Sequence, residues 1–318
     1  MPLPERKLIE RIRAAASRGS RNVLRGIGDD CAVLSIPRGH ELLVTTDFSL
    51  EGVHFRREWH PADSVGHRCL ARGLSDIAAM GGTPVAAFLS LALPADLPQK
   101  WVDDFLRGLL KLADKYDVPL AGGDTAQSPA GVIADIIVLG SAPKGKAITR
   151  AGARPGDHIY VTGALGASAA ALQSLYAGKK IRQRDFLRHF YPEPRMDLGY
   201  WLREKGLASA MIDLSDGLSV DLRHICEESG VGANVRQDAV PLAEIRSHEV
   251  KLNFALHGGE DYELLFTAPR GKRIPRKIAG VPVTMIGHII PGRQVMLRDE
   301  NGKGVELQAQ GWEHFRKT

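Results

Sequence analysis

Apolar residues fall along this chain in two rhythms, short strand-like runs and segments where they return every three or four positions. ELLVTTD (41–47) reads as a strand, and the stretch from Pro61 to Met80 reads as a helix opened by Pro61 and stopped by Gly81-Gly82. PVAAFLSLALP (84–94) is a buried strand. The next helix, Pro98 to Tyr116, carries Trp101, Phe105, Leu109 and Leu112 on one face. VPLAGGDT (118–125) and GVIADIIVLGSA (131–142) read as further strands.

The rhythm breaks at KGKAITRAGARPGD (144–157), rich in Gly, Pro and basic residues. A second alternating series follows: the strand HIYVTG (158–163), a helix from Gly166 to Gly178, the strand SAMIDL (209–214), a helix from Leu218 to Ser229, and strands at FALHGGEDYELLFT (254–267) and VTMIGHI (283–289). The expectation is an α/β (α+β) chain of two domains, residues 1–147 and 148–318. No solenoid-period repeat or low-complexity tract interrupts either.

Composition narrows the class. A length of 318 residues suffices for two domains, and 44% apolar with 25% charged residues is a soluble, globular profile. No apolar run approaches the ~20 residues of a membrane span, and the amphipathic N-terminal helix lacks a signal-peptide core. Cys31, Cys69 and Cys226 show no C-x-x-C spacing, which argues against a disulfide framework or zinc site and fits a reducing cytoplasm. The net charge of +5 is scattered, with one weak cluster at PRGKRIPRK (269–277), and 6% aromatics give no stacking platform, so no nucleic-acid partner is expected.

Two segments imitate phosphate loops. GSAPKGKA (140–147) nearly fits G-x-x-x-x-G-K-[ST], but Ala147 stands where a hydroxyl should hold Mg²⁺, and no helix is expected to follow. TGALGAS (162–168) joins strand to helix but lacks the full G-x-G-x-x-G spacing, and tight packing explains it more simply.

What remains is a recurrent acidic grammar: an apolar run, then small or hydroxylic residues, then a carboxylate. It appears in GIGDD (26–30), TTD (45–47), LSD (74–76), GGD (122–124), DLSDG (213–217) and GGED (258–261). Any one aspartate alone reads as a turn or helix cap, and Asp76 could instead belong to a surface ion-pair stripe with Arg68 and Arg72. If the acids converge, they would repel as bare carboxylates, and hard oxygen donors without nearby Cys or His would suit Mg²⁺ and a polyphosphate. Phosphoryl transfer is the chemistry such a site performs.

GIGDDCAVL, TTDFSLEGVHF, LSDIAAMGG, LAGGDT, ITRAGARPGD, IDLSDGLSVDL and HGGEDYELLFT occur in this order and together resemble the thiamine-monophosphate kinase family. That family lies in a superfamily with aminoimidazole ribonucleotide synthetase and selenophosphate synthetase. The resemblance runs from about residue 24 to the C-terminal GWEHF, and TTDFSLEGVHF favours the kinase over its relatives. It implies an N-terminal domain that dimerises through its sheet, a C-terminal α/β domain, and a cytoplasmic homodimer. The implied reaction is ATP-dependent phosphorylation of thiamine monophosphate to thiamine diphosphate, with several Mg²⁺ ions.

Carried over position by position, the resemblance makes Asp30, Thr45, Thr46, Asp47, Asp76, Asp124, Asp213 and Asp216 metal ligands, some through water. Gly123, Asp124, Arg150 and Ser215 become ATP contacts, with Asp47, Asp124 and Arg150 closest to catalysis. His54 becomes a contact to thiamine monophosphate, while Glu260 or Asp261 and Trp312 or Phe315 line the thiamine pocket. Two rivals stand beside this reading: an aminoimidazole ribonucleotide synthetase-type enzyme, and a Mg-nucleotide-binding scaffold without turnover.

Overall fold

The structure, a computed structural model, describes residues 1–16, 20–28, 30–246 and 248–311, so Asp29, Trp312 and Phe315 lie outside the described residues. The chain divides into two units. One comprises Met1–Ile77, Gly82–Gly145 and Phe190–Pro192; the other comprises Ala78–Gly81, Lys146–His189 and Glu193 onward.

The first unit follows the order α1 (Glu5–Ala15), β1 (Val23–Arg25), β2 (Val33–Leu34), β3 (His40–Leu50), α2 (Ala62–Ala79), β4 (Thr83–Pro94), α3 (Gln99–Lys115), β5 (Leu120–Ser128) and β6 (Ile133–Pro143). Its four-stranded sheet runs β3-β6-β4-β5 and is antiparallel except for the parallel pair β4–β5. Period-two alternation along β6 buries Ala134, Ile136 and Val138 on one face. Amphipathic α3 buries Val102, Phe105, Leu106, Leu109 and Leu112, the 3.6-residue stripe its sequence carries. Helices α2 and α3 approach backbone to backbone. A Cβ on Gly66 would lie 1.9 Å from the Phe105 carbonyl oxygen, and one on Gly108 would lie 1.8 Å from that of Asp63. Only glycine permits this crossing.

The second unit contains β7 (His158–Thr162), α4 (Ala167–Tyr176), α5 (Leu187–Phe190), α6 (Met196–Glu204), β8 (Ala210–Asp213), α7 (Leu218–Ser229), β9 (Gly232–Arg236), α8 (Leu252–His257), β10 (Leu264–Ala268), β11 (Lys277–Ile278), β12 (Val281–Ile290), β13 (Val295–Arg298) and β14 (Gly304–Glu306). Its sheet runs β14-β13-β9-β12-β7-β10-β8, with β11 on β12, and only β9–β13 is parallel. Ile159, Val161, Ile212, Leu222, Ile225, Val235, Leu265 and Ile286 form its apolar core.

Two sequence expectations are corrected. FALHGGEDYELLFT is not one strand: residues Leu252–His257 are helix α8, the GGEDY segment has no regular structure, and only Leu264–Ala268 pairs in the sheet. An apolar run as short as FAL satisfies either period, and the Gly258-Gly259 pair ends the helix rather than bending a strand. The strands read as ending at Asp47 and Thr125 run further. Strand β3 continues to Leu50 and β5 to Ser128. The alternation Phe48-Ser49-Leu50 keeps β3 pleated beyond Asp47.

Candidate functional site

In the first unit the site is built on β3 and α2. The pleat sends Thr45 and Asp47 to one face of β3 and Thr46 and Phe48 to the other. Asp76 of α2 accepts a hydrogen bond from the Thr45 hydroxyl. One turn earlier, Arg72 donates to the Phe48 carbonyl oxygen at 3.0 Å, and Arg68 donates to that of His54 at 3.2 Å. Both arginines are buried, so Arg68, Arg72 and Asp76 form no surface ion-pair stripe. The Asp47 carboxyl is pushed up to about 7, first by burial and then by the charge of Asp76, with Arg72 pulling the other way. Asp47 and Asp76 are thus paired carboxyls backed by a hydroxyl, a set that a proton or a hard divalent cation stabilises.

On the other face of the sheet, Thr46 donates to Asp135 at 2.8 Å. Asp135 of β6 stands opposite Ser90 of β4, which stands opposite Asp124 of β5, placing the two acids on either side of Ser90 in one cross-strand row. Asp124 is exposed and accepts the Thr125 N–H at 2.8 Å. Gly123, at φ +144°, brings β5 so near β4 that a Cβ would lie 1.8 Å from the Leu89 carbonyl oxygen. Asp30 lies exposed in a bend between β1 and β2. Val23 and Leu34 of that hairpin pack against Val85 and Ala121.

His54 is half-buried, and its Nδ1 accepts the Leu50 N–H at 3.0 Å. That bond puts the proton of the neutral ring on Nε2 and makes Nε2 a donor.

In the second unit Asp213 is the last residue of β8, buried opposite Leu264. Asp216 follows in the half-buried turn before α7. Asp221, in the first turn of α7, accepts the Asp216 N–H at 3.2 Å and the Gly217 N–H at 3.0 Å. Burial, followed by the charges of Asp213 and Asp216, raises the Asp221 carboxyl well above the ordinary range. Ser215 is half-buried, and its carbonyl oxygen accepts the Glu260 N–H at 2.8 Å. Arg150 is exposed, its carbonyl oxygen accepting the Ser229 hydroxyl at 3.1 Å.

The two acids of GGED differ. Glu260 is half-buried with φ +65°. Asp261 is buried, and its carboxyl oxygens accept the Gly166 N–H at 2.9 and 3.1 Å, at the start of α4. Burial pushes Asp261 up to about 8 against the opposing pull of that amide. Glu263, 0% exposed, meets Arg188 at 2.6 Å, Arg195 at 2.7 and 2.5 Å, and the Thr162 hydroxyl at 2.6 Å.

Among the described residues no group of three or more His, Cys, Asp or Glu is poised to hold a metal ion. The acids instead influence one another without converging in that way: Asp76 acts on Asp47 in one unit, and Asp213 and Asp216 act on Asp221 in the other. Sequence reasoning passed over Asp135, Asp221 and Glu263. All three lay inside quoted stretches, GVIADIIVLGSA, IDLSDGLSVDL and HGGEDYELLFT, but none was singled out from them.

Residues 28–142 match the family described as AIR synthase related protein, N-terminal domain, and residues 154–298 match AIR synthase related protein, C-terminal domain. That pair of domains sets the class: an AIR synthase related protein. Within that class, a thiamine-monophosphate kinase of Escherichia coli (strain K12) is 41% identical over 312 residues, covering 94% of each chain. The crystal structure of a thiamine-monophosphate kinase from Stenotrophomonas maltophilia K279a is 37% identical with a TM-score of 0.83, covering 96% of this chain and 99% of that one. A solved structure described as AaThiL complexed with AMPPCP and TMP is 32% identical with a TM-score of 0.77, covering 99% of each. The chain belongs to the thiamine-monophosphate kinase family.

Proposed function

We propose that this chain transfers the γ-phosphoryl group of ATP to the phosphate of thiamine monophosphate, giving ADP and thiamine diphosphate. The observation that carries the reading is the Asp47–Asp76 pair, two carboxyls held together beside the Thr45 hydroxyl at a cost that a divalent cation would remove. The relative bound to AMPPCP and TMP supports the choice of substrates.

The donor set is all oxygen, which fits Mg²⁺. Several ions are needed: Asp47, Asp76 and Thr45 would hold Mg²⁺ on one face of the first unit's sheet, Thr46 and Asp124 on the other, Asp30 from the β1–β2 bend, and Asp213 and Asp216 in the second unit. Bound there, Mg²⁺ supplies neutralisation of polyphosphate charge.

The acceptor needs no base. A phosphate monoester has its second pKa near ~6 and is largely dianionic at neutral pH. The chain's task is to bring two anions together, when unit charges 4 Å apart repel by about 4 kcal/mol at an effective dielectric of about 20. Arg150 offsets that charge at the nucleotide, aided by the backbone at Gly123 and by Ser215 and Asp124. His54, with Nδ1 occupied by the Leu50 N–H, donates from Nε2 to the thiamine substrate and positions it. Glu260, with Trp312 or Phe315, contacts the thiamine end.

A homodimer and cytoplasmic residence belong to the same reading. Edge strand β3 turns Leu42, Val44 and Phe48 outward at 49%, 61% and 56% exposure, an apolar stripe that a second copy would cover. The three free cysteines suit a reducing compartment.

The test is ADP release with each acceptor in turn. Turnover is expected with thiamine monophosphate and none with unphosphorylated thiamine. Turnover with an acceptor that offers an amide oxygen instead of a phosphate, or nucleotide binding without product, would replace the reading by one of its rivals.

A further inference from the structure

The GGEDYE segment alternates in an unusual way. Glu260 and Tyr262 hold left-handed backbone at φ +65° and +49°, conformations that L side chains disfavour. Between and after them, Asp261 and Glu263 turn inward and are buried. Asp261 grips the Gly166 amide with both carboxyl oxygens, and Glu263 is gripped by Arg188, Arg195 and Thr162. The Thr162 hydroxyl that donates to Glu263 also accepts the Leu264 N–H at 2.8 Å, fixing the backbone where the segment enters β10.

Strained backbone persists only where its surroundings over-determine it. Here the main chain is also tied to the neighbouring turn: Glu260 N–H to Ser215 and Tyr262 N–H to Leu214 at 2.8 and 2.9 Å, and Leu214 N–H to the Glu263 carbonyl oxygen at 2.8 Å. That neighbouring turn has an anchor of its own in Asp221.

We infer that Asp261 and Glu263 are positioning residues that clamp the segment between and just after its strained positions and so fix Glu260 where it reads the thiamine substrate. The inference rests on the proposed role of Glu260. Because Asp221 independently holds the Ser215–Asp216 turn, loosening the clamp acts on thiamine monophosphate and spares ATP.

Steady-state kinetics with each substrate varied tests this in Asp261→Asn, Thr162→Val, Thr162→Ser and Glu260→Gln. Asp261→Asn and Thr162→Val are expected to raise KM for thiamine monophosphate about tenfold, with KM for ATP within about twofold of the parent. Thr162→Ser, which keeps the hydroxyl, stays near the parent. Adding Glu260→Gln to Asp261→Asn raises KM no further than Glu260→Gln alone, because the clamp acts through Glu260. Should Asp261→Asn fail to fold, the Thr162 pair decides. If Glu260→Gln raises KM while the clamp variants lower only thermal stability, or raise both KM values alike, the clamp is overturned and the role of Glu260 stands. If Glu260→Gln leaves KM unchanged, the reading of Glu260 is wrong and the clamp falls with it.

Discussion

Asp47 and Asp76 come from residues far apart in sequence, and each is ordinary alone. Their closeness under burial makes them chemical, since like charges that share a site cannot both ionise freely. Asp261 carries a similar burden away from that pair. With its carboxyl raised to about 8, the folded chain holds a proton on Asp261 from about pH 4 to 8 that the unfolded chain has released. This group's contribution to stability therefore falls as pH rises through that window. Asp261→Asn is expected to flatten the decline, read as melting temperature against pH; an unchanged slope would contradict the burial argument. The cysteines separate as sharply. Cys69 and Cys226 are buried with thiols pushed up to about 12, while Cys31 is exposed. A thiol reagent at neutral pH should label Cys31 alone in the native chain and all three in denaturant, and a second label before unfolding would count against the packing.

Among the elements, the α2–α3 crossing and the β3 edge make the firmest predictions. Gly66→Ala places a methyl group against the Phe105 carbonyl oxygen, where neither backbone can withdraw without moving a helix. Overpacking of this kind costs about 1–3 kcal/mol or more, measurable by denaturant unfolding; a neutral result would mean that the helices separate freely. Val44→Lys on the exposed stripe of β3 should convert the proposed dimer to monomer in sedimentation, and an already monomeric parent would remove that part of the reading. The same elements show what a sequence can convey. Strand β3, helix α2 and helix α3 were legible because each carries its period over many residues. The β1–β2 hairpin, α6 and β9 were missed because they are short. FALHGGEDYELLFT was misread because its apolar ends share no single period.

At the scale of the whole molecule, alternating strands and helices disclosed the mixed α/β class and its two domains. Alternation could not reveal that most strands pair antiparallel, because pairing direction depends on where each crossover returns. The candidate site was legible as a recurring acidic motif and not as a constellation. Sequence marked Asp47 and Asp76, yet burial, Arg72 and Thr45 give the pair its character, and these are tertiary facts. Asp221 and Glu263 escaped notice for the same reason: their importance lies in the amides and guanidinium groups they hold.

The most direct measurement of the central claim is turnover of Asp47→Asn against Mg²⁺ concentration, with ATP and thiamine monophosphate saturating. The account predicts a kcat loss of about a hundredfold or more, with the remaining activity shifted to higher Mg²⁺. Near-parental turnover at low Mg²⁺ would contradict it.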